Sequence, residues 1–144
     1  MKLFVYTDGA SRGNPGKGAS GYLILDATHK VLAHHAFANG TCTNNVAEYK
    51  AIIAALKKAL DMGCDHVVLS SDSKLAINQL SENYKVKDKA LKQLSSEAKV
   101  LLARFAKREL LNVPRENRYV SAVDKELNEL LDADGKPTRS QTKL

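Results

Sequence analysis

With 144 residues, 44% of them hydrophobic and 26% charged, the chain has the size and composition of one globular domain with its own core. No apolar run approaches the ~20 residues that cross a bilayer, and the first residues enter a strand without a signal-peptide pattern. A net charge of +6 and a pI near 9.3 suit a polyanionic partner without selecting one.

Cys42 and Cys64 are too few and too isolated for a disulfide framework or a zinc site, and buried thiols are the ordinary reading. The expectation is a cytoplasmic protein with no membrane association.

The first element is an apolar, β-branched and aromatic run, Leu3-Phe4-Val5-Tyr6-Thr7, that halts at Asp8. Gly9, Gly13, Pro15 and Gly16 follow at once, so the pattern predicts a strand, then a tight connection, with Asp8 at the strand end. Residues 19–25 and 31–37 are two further strands joined by a polar link of hairpin length, giving three antiparallel strands in succession. His34 and His35 fall on the third of these strands.

From Thr43 the period changes. Val46, Tyr49, Ile52, Ile53, Leu56, Ala59 and Leu60 recur at intervals of three and four, one face of a helix. Thr43, Asn44 and Asn45 suit its start and Gly63 its stop. Val67-Val68-Leu69 then makes a short buried strand ending at Asp72. A helix between an antiparallel unit and a new buried strand implies a crossover, which sets this strand parallel to the first.

Residues 73–80 and 89–105 read as helices with a basic link between them. Residues 109–113 read as a strand stopped by Pro114, and residues 120–131 as a final helix. The polar stretch 132–144 is expected to be a disordered tail. The whole is an α/β fold, a five-stranded mixed sheet with helices on both faces, contained in residues 1–131.

Three carboxylates carry the chemistry. Asp8 and Asp72 end strands expected to be parallel neighbours, about 5 Å apart, so both face one crevice. Glu48, expected in the first turn of the crossover helix, looks toward the same sheet edge. Three carboxylates so close resist ionisation unless a cation holds them, and hard oxygen ligands suit Mg²⁺ or Mn²⁺. Each also has a plain reading: Glu48 as partner of an Asn45 helix cap, Asp72 as a cap of the next helix.

The segments Tyr6-Thr7-Asp8-Gly9-Ala10-Ser11, Asn14-Pro15-Gly16, Thr43-Asn44-Asn45-Val46-Ala47-Glu48-Tyr49, Ser71-Asp72-Ser73 and Val113-Pro114-Arg115-Glu116-Asn117 together resemble a type 1 ribonuclease H catalytic domain. The resemblance runs from about Lys2 to Leu131, with no additional N-terminal hybrid-binding module. It implies a ribonuclease H-like fold and a monomer that hydrolyses the RNA strand of an RNA/DNA hybrid, leaving 5′-phosphate and 3′-hydroxyl ends. Two divalent ions, Mg²⁺ or Mn²⁺, would activate water and stabilise the leaving oxygen.

By the same resemblance, Asp8 bridges both ions, Glu48 and Asp72 hold one of them, and a fourth carboxylate holds the other. Asn14, Asn44 and Asn45 match positions that touch the minor groove and the RNA 2′-hydroxyls, the groups that separate RNA from DNA. Thr43 matches a contact to a DNA-strand phosphate, and Lys85 and Lys87 are expected to meet phosphate.

Three departures from the family pattern bear on function. The usual place of the fourth carboxylate is Ser121; Asp124, three residues on, is the expected ligand, reached through a longer loop before the last helix. Its plain reading is a first-turn Asp that complements the helix dipole. No histidine follows His66, so the loop histidine of many relatives is missing; Arg115 or Glu116 stands in its place, with Arg115 expected to face nucleic acid.

Asp88, finally, occupies a position where an Asn often binds a DNA phosphate, which predicts less DNA-strict binding extending to double-stranded RNA. The alternatives are a catalytically silent binding domain of the same fold, or another metal nuclease of the ribonuclease H-like superfamily.

Overall fold

The computed structural model describes residues 1–134. The elements in chain order are β1 (Lys2–Gly13), β2 (Gly16–Leu25), β3 (Val31–Cys42), α1 (Asn44–Asp61) and β4 (His66–Ser71). They continue with α2 (Lys74–Leu80), α3 (Lys89–Leu102), β5 (Lys107–Asn112) and α4 (Arg118–Asp134). The sheet order is β3-β2-β1-β4-β5, antiparallel across the first three strands and parallel from β1 through β4 to β5.

β1 does not stop at Asp8. It runs on to Gly13 and pairs with β2 through Gly13 opposite Gly16, leaving only Asn14 and Pro15 as the turn. Gly9 is a point of close approach and not the turn glycine that its sequence neighbours suggest. A Cβ there would lie 2.3 Å from the backbone carbon of Ala47 in α1. Asp8 nonetheless marks a boundary, because the pairing of β1 with β4 ends at Thr7 opposite Ser71.

α1 starts where its polar triplet predicts. Thr43 is the N-cap, its hydroxyl accepting the Val46 N–H at 3.2 Å. The helix ends as expected at Gly63, whose φ of +84° suits glycine, with the Cys64 N–H reaching back to the Ala59 carbonyl. α1 buries Ile52, Ala55 and Leu56 in one core with the odd-numbered β1 residues Leu3 and Val5 and with Val67 and Leu69 of β4. α3 adds Ala98, Leu101 and Leu102 to that cluster. The opposite face of the sheet is covered by α4, through Val123, Leu127 and Leu131 against Ala19, and Val120 against Tyr6 and Leu25.

Between the helices of the larger core lies a buried polar group, the Tyr49 hydroxyl, which meets both Gln79 and Ser95. The Tyr49 hydroxyl donates to Gln79 Oε1 at 2.6 Å, with Tyr49 fully buried and Gln79 nearly so. Tyr49→Phe would leave a buried amide oxygen without its donor, and a loss of about 1–3 kcal/mol in denaturant unfolding is expected. An unchanged unfolding midpoint would show that water reaches Gln79.

The last helix departs from the sequence reading at both ends. Asn117 caps it by accepting the Tyr119 and Val120 N–H groups, so α4 begins at Arg118, immediately after the turn. It continues through Asp134, three residues into the stretch expected to be a tail. The remainder of that predicted tail, 135–144, lies outside the described residues. Cys42 and Cys64 are both buried free thiols.

Candidate active site

The register that pairs Lys2 with His66 and Thr7 with Ser71 would, one step on, set Asp8 opposite Asp72. Asp72 follows the end of β4, whereas Asp8 lies inside β1, opposite Gly21 of β2; what brings them together is the end of the parallel β1/β4 pairing, not the strand end expected for Asp8. α1 brings Glu48 to the same point. Glu48 is the fifth helical residue, just beyond the first turn in which the sequence placed it. With Thr43 as the cap, the capping role through Asn45 is ruled out for Glu48, and Ser73 rather than Asp72 caps α2.

One carboxylate oxygen each from Asp8, Glu48 and Asp72 lies within 4.8 Å of the others. Asp124 of α4 completes the group from the far face of the sheet, in hydrogen-bonding contact with Asp8. It sits in the second turn of α4 and so has no first-turn dipole role. The connection before this helix is residues 113–117. Ser121, the alternative position, instead donates to the Arg115 carbonyl at 3.2 Å.

The electrostatics of the cluster are those of a set without a counter-charge. Burial, then repulsion from Asp72 and Asp124, pushes Asp8 up to about 8. Burial, then Asp8 and Asp72, raises Glu48 well above the ordinary carboxylate range. The Gly9 N–H, which both carboxylates meet, opposes these shifts.

Glu48 Oε1 and Asp72 Oδ1 are closed off from solvent with no hydrogen-bond partner among the described residues. Orphaned buried oxygens in a crowd of carboxylates are what a hard divalent cation satisfies, so the residues present fit such an ion.

The expected nucleic-acid residues form two groups. Asn14 and Asn44 are joined across the hairpin and helix start: the Asn44 N–H donates to Asn14 Oδ1 at 3.0 Å, and the Ser11 N–H to Asn44 Oδ1 at 2.8 Å. Their oxygens are thus occupied, while their amide N–H₂ groups have no partner among the described residues. Asn45 is exposed beside them, and the Thr43 hydroxyl is committed as an acceptor to the helix cap. Lys85 and Lys87 are exposed on the α2–α3 connection, and Arg115 is exposed before α4. Asp88 is the N-cap of α3, accepting the Leu91 N–H at 3.0 Å.

Two residues were not anticipated from sequence. Asn128 touches Asp124, and Arg12 touches Asn128. The 124–128 helical spacing and the shared strand parity of positions 8 and 12 were the available signals.

A mixed sheet in this order, with carboxylates gathered where its central parallel pair ends, defines a ribonuclease H-like domain. A family model described as reverse transcriptase-like matches residues 6–124. The bifunctional protein Rv2228c of Mycobacterium tuberculosis is 39% identical over 135 residues, 92% of this chain and 36% of the relative. The crystal structure of RNase H1 from the archaeon Halobacterium salinarum superposes with a TM-score of 0.88 at 37% identity, covering 92% of this chain and 99% of that one. A structure of LC11-RNase H1 in complex with an RNA/DNA hybrid, 32% identical, gives 0.78 over 90% of this chain and 99% of that one. The chain belongs to the type 1 ribonuclease H family. It spans about a third of the length of the mycobacterial relative.

Proposed function

We propose that this protein is a metal-dependent endoribonuclease that hydrolyses the RNA strand of RNA/DNA hybrids, leaving 5′-phosphate and 3′-hydroxyl ends. The observation that carries the reading is the convergence of Asp8, Glu48 and Asp72, with Asp124 against Asp8, around buried oxygens that have no partner among the described residues. Asp8, Glu48, Asp72 and Asp124 would hold Mg²⁺ or Mn²⁺, two ions per site. When bound, such ions lower the pKa of an attacking water and offset charge on the leaving oxygen.

The protein's own part is placement. The β1/β4 pair fixes the spacing of Asp8 and Asp72, and α1 delivers Glu48 between them from a capped helix end. Asn14, Asn44 and Asn45 present amide donors beside the site, suited to the 2′-hydroxyls and minor groove of the RNA-containing strand. Thr43, Lys85, Lys87 and Arg115 take phosphate contacts on this reading.

The LC11 relative seen with a hybrid supports hybrid as the substrate. Double-stranded RNA is a second substrate on the same logic, since the Asp88 carboxylate is committed to capping α3 and offers nothing to a DNA phosphate. The protein acts as a monomer, and its free thiols suit a reducing, cytoplasmic setting.

The test is cleavage of end-labelled hybrid, double-stranded RNA and double-stranded DNA with Mg²⁺, Mn²⁺ or EDTA. Hybrid is expected to be cut in its RNA strand with either ion, double-stranded RNA more slowly, and DNA not at all. Asp124→Asn should lower hybrid cleavage at least about 10²-fold. Wild-type protein that binds hybrid but cuts nothing would establish the silent-binder alternative.

A further inference from the structure

β1 and α4 run alongside each other with matched repeats. Two strand residues advance ~6.8 Å and four helical residues ~6 Å, so a strand face at every second residue can track a helix face at every fourth. Asp8, Ala10 and Arg12 form such a strand face, and Asp124, Asn128 and Asp132 the opposing helix face. The first rung is Asp8 against Asp124. The last is an ion pair, Arg12 Nη1 to Asp132 Oδ1 at 2.7 Å.

Asn128 is the joint between the rungs. Its Nδ2 donates to Asp124 Oδ2 at 3.3 Å and to the Asp124 carbonyl at 3.0 Å. Its Oδ1 accepts from Arg12 Nη2 at 3.2 Å, and the same Nη2 reaches the Asn128 carbonyl at 3.3 Å. An amide can turn over, exchanging its oxygen and nitrogen, but here only one orientation is satisfied. A guanidinium has donors and no acceptor, so the amide oxygen must face Arg12 and the N–H₂ must face the Asp124 carboxylate. Arg12, itself held by Asp132, therefore dictates that Asp124 meets a donor from behind.

We propose that Asn128 and Arg12 are positioning residues that hold the Asp124 carboxylate toward Asp8 and so complete the metal-binding set. The proposal rests on the reading of Asp124 as a metal-binding carboxylate. Without the amide, Asp124 is a partly buried side chain on a helix face, free to turn away from the Asp8 carboxylate that repels it. The donor from Asn128 fixes its rotamer before any cation arrives, which spares the bound state the cost of ordering it.

The experiment is a Mn²⁺ titration of the full chain by calorimetry and electron paramagnetic resonance, with steady-state hybrid cleavage and a thermal melt of each protein. The variants are Asn128→Ala, Arg12→Ala, the double variant and Asp124→Asn. Asn128→Ala is expected to weaken Mn²⁺ binding about 10–100-fold and to lower kcat while KM for hybrid stays within about twofold. Arg12→Ala should reproduce part of the Mn²⁺ loss. The double variant should bind no more weakly than Asn128→Ala, because both act through one amide.

Mn²⁺ affinity in Asn128→Ala within twofold of wild type, with Asp124→Asn still impaired, would overturn the positioning role and leave the active site standing. Wild-type protein that takes up no Mn²⁺ and cuts no hybrid would overturn both.

Discussion

Asp8→Asn is expected to reduce hybrid cleavage at least about 10³-fold and, in the absence of divalent ions at pH 8, to raise the melting temperature. The two effects have opposite sign because one side chain serves function at the expense of the metal-free fold. Asp8 is 5% exposed, and burial together with Asp72 and Asp124 lifts its pKa to about 8. Its unfolded value is near 4, so between those limits the folded protein binds more protons than the unfolded chain. The stability this contributes is fully present below about pH 4 and is lost as pH rises through about 8.

Above that range the ionised Asp8 stands against its neighbouring carboxylates. Asparagine keeps the shape, removes one charge and flattens the decline. A gain of about 1–3 kcal/mol at pH 8, on the order of 5 °C, is expected, shrinking toward zero near pH 4. Mg²⁺ should raise the wild-type melting temperature and raise that of Asp8→Asn less. Thermal melts from pH 4 to 9 with EDTA, repeated with Mg²⁺, read both effects. A metal-free Asp8→Asn protein that melts below wild type at pH 8 would mean that Asp8 is a structural anchor rather than a strained ligand.

The strand ends and the crossover helix were legible because each rests on a local pattern. A β-branched run broken by Asp gives Asp8 and Asp72. The 3–4 spacing from Val46 to Leu60 gives the helix that carries Glu48, and the crossover rule sets β1 parallel to β4. From these three inferences follows the meeting of the carboxylates, which the register of β1 and β4 then bears out.

What the sequence hid depended on partners distant along the chain. Gly9 resembles a turn glycine, yet the reason for its missing side chain is the α1 backbone nearly 40 positions later. Asp124 was named from the sequence, but the start of α4 at Arg118 was not, because a capping Asn is indistinguishable from a loop Asn until the N–H groups it accepts are seen. Arg12 and Asn128 lie 116 residues apart. Only the packing of hairpin on helix joins them. His34 is a comparable case: no carboxylate stands near it in sequence, but Glu126 pairs with it at 2.9 Å from α4.

The close approach at Gly9 sets up the second large effect. Gly9→Ala places a methyl group 2.3 Å from Ala47 C, 2.4 Å from Glu48 N and 2.6 Å from Ala47 O. All three atoms are backbone, so no side chain can rotate away. Relief requires β1 and α1 to separate, and both are pinned: α1 by Tyr49, Ile52 and Leu56 in the core and by the Thr43 cap, β1 by strands on either side. A loss of at least about 3 kcal/mol is expected, about 10 °C or more in melting temperature.

The functional loss should exceed what unfolding explains. The Gly9 N–H lies at both the Asp8 and Glu48 carboxylates, and any retreat of α1 carries Glu48 with it. Displacement of a reacting group by about 1 Å can cost 10²-fold in rate, so cleavage by the fully folded variant at low temperature is expected to fall at least that far. Mn²⁺ affinity should fall in parallel. Circular dichroism melts, a Mn²⁺ titration and hybrid cleavage at 10 °C separate the two losses. A variant that melts within 2 °C of wild type and cuts hybrid at half its rate or better would show that α1 can yield at Glu48. The site would then be held by the carboxylates' own packing, not by the contact between strand and helix.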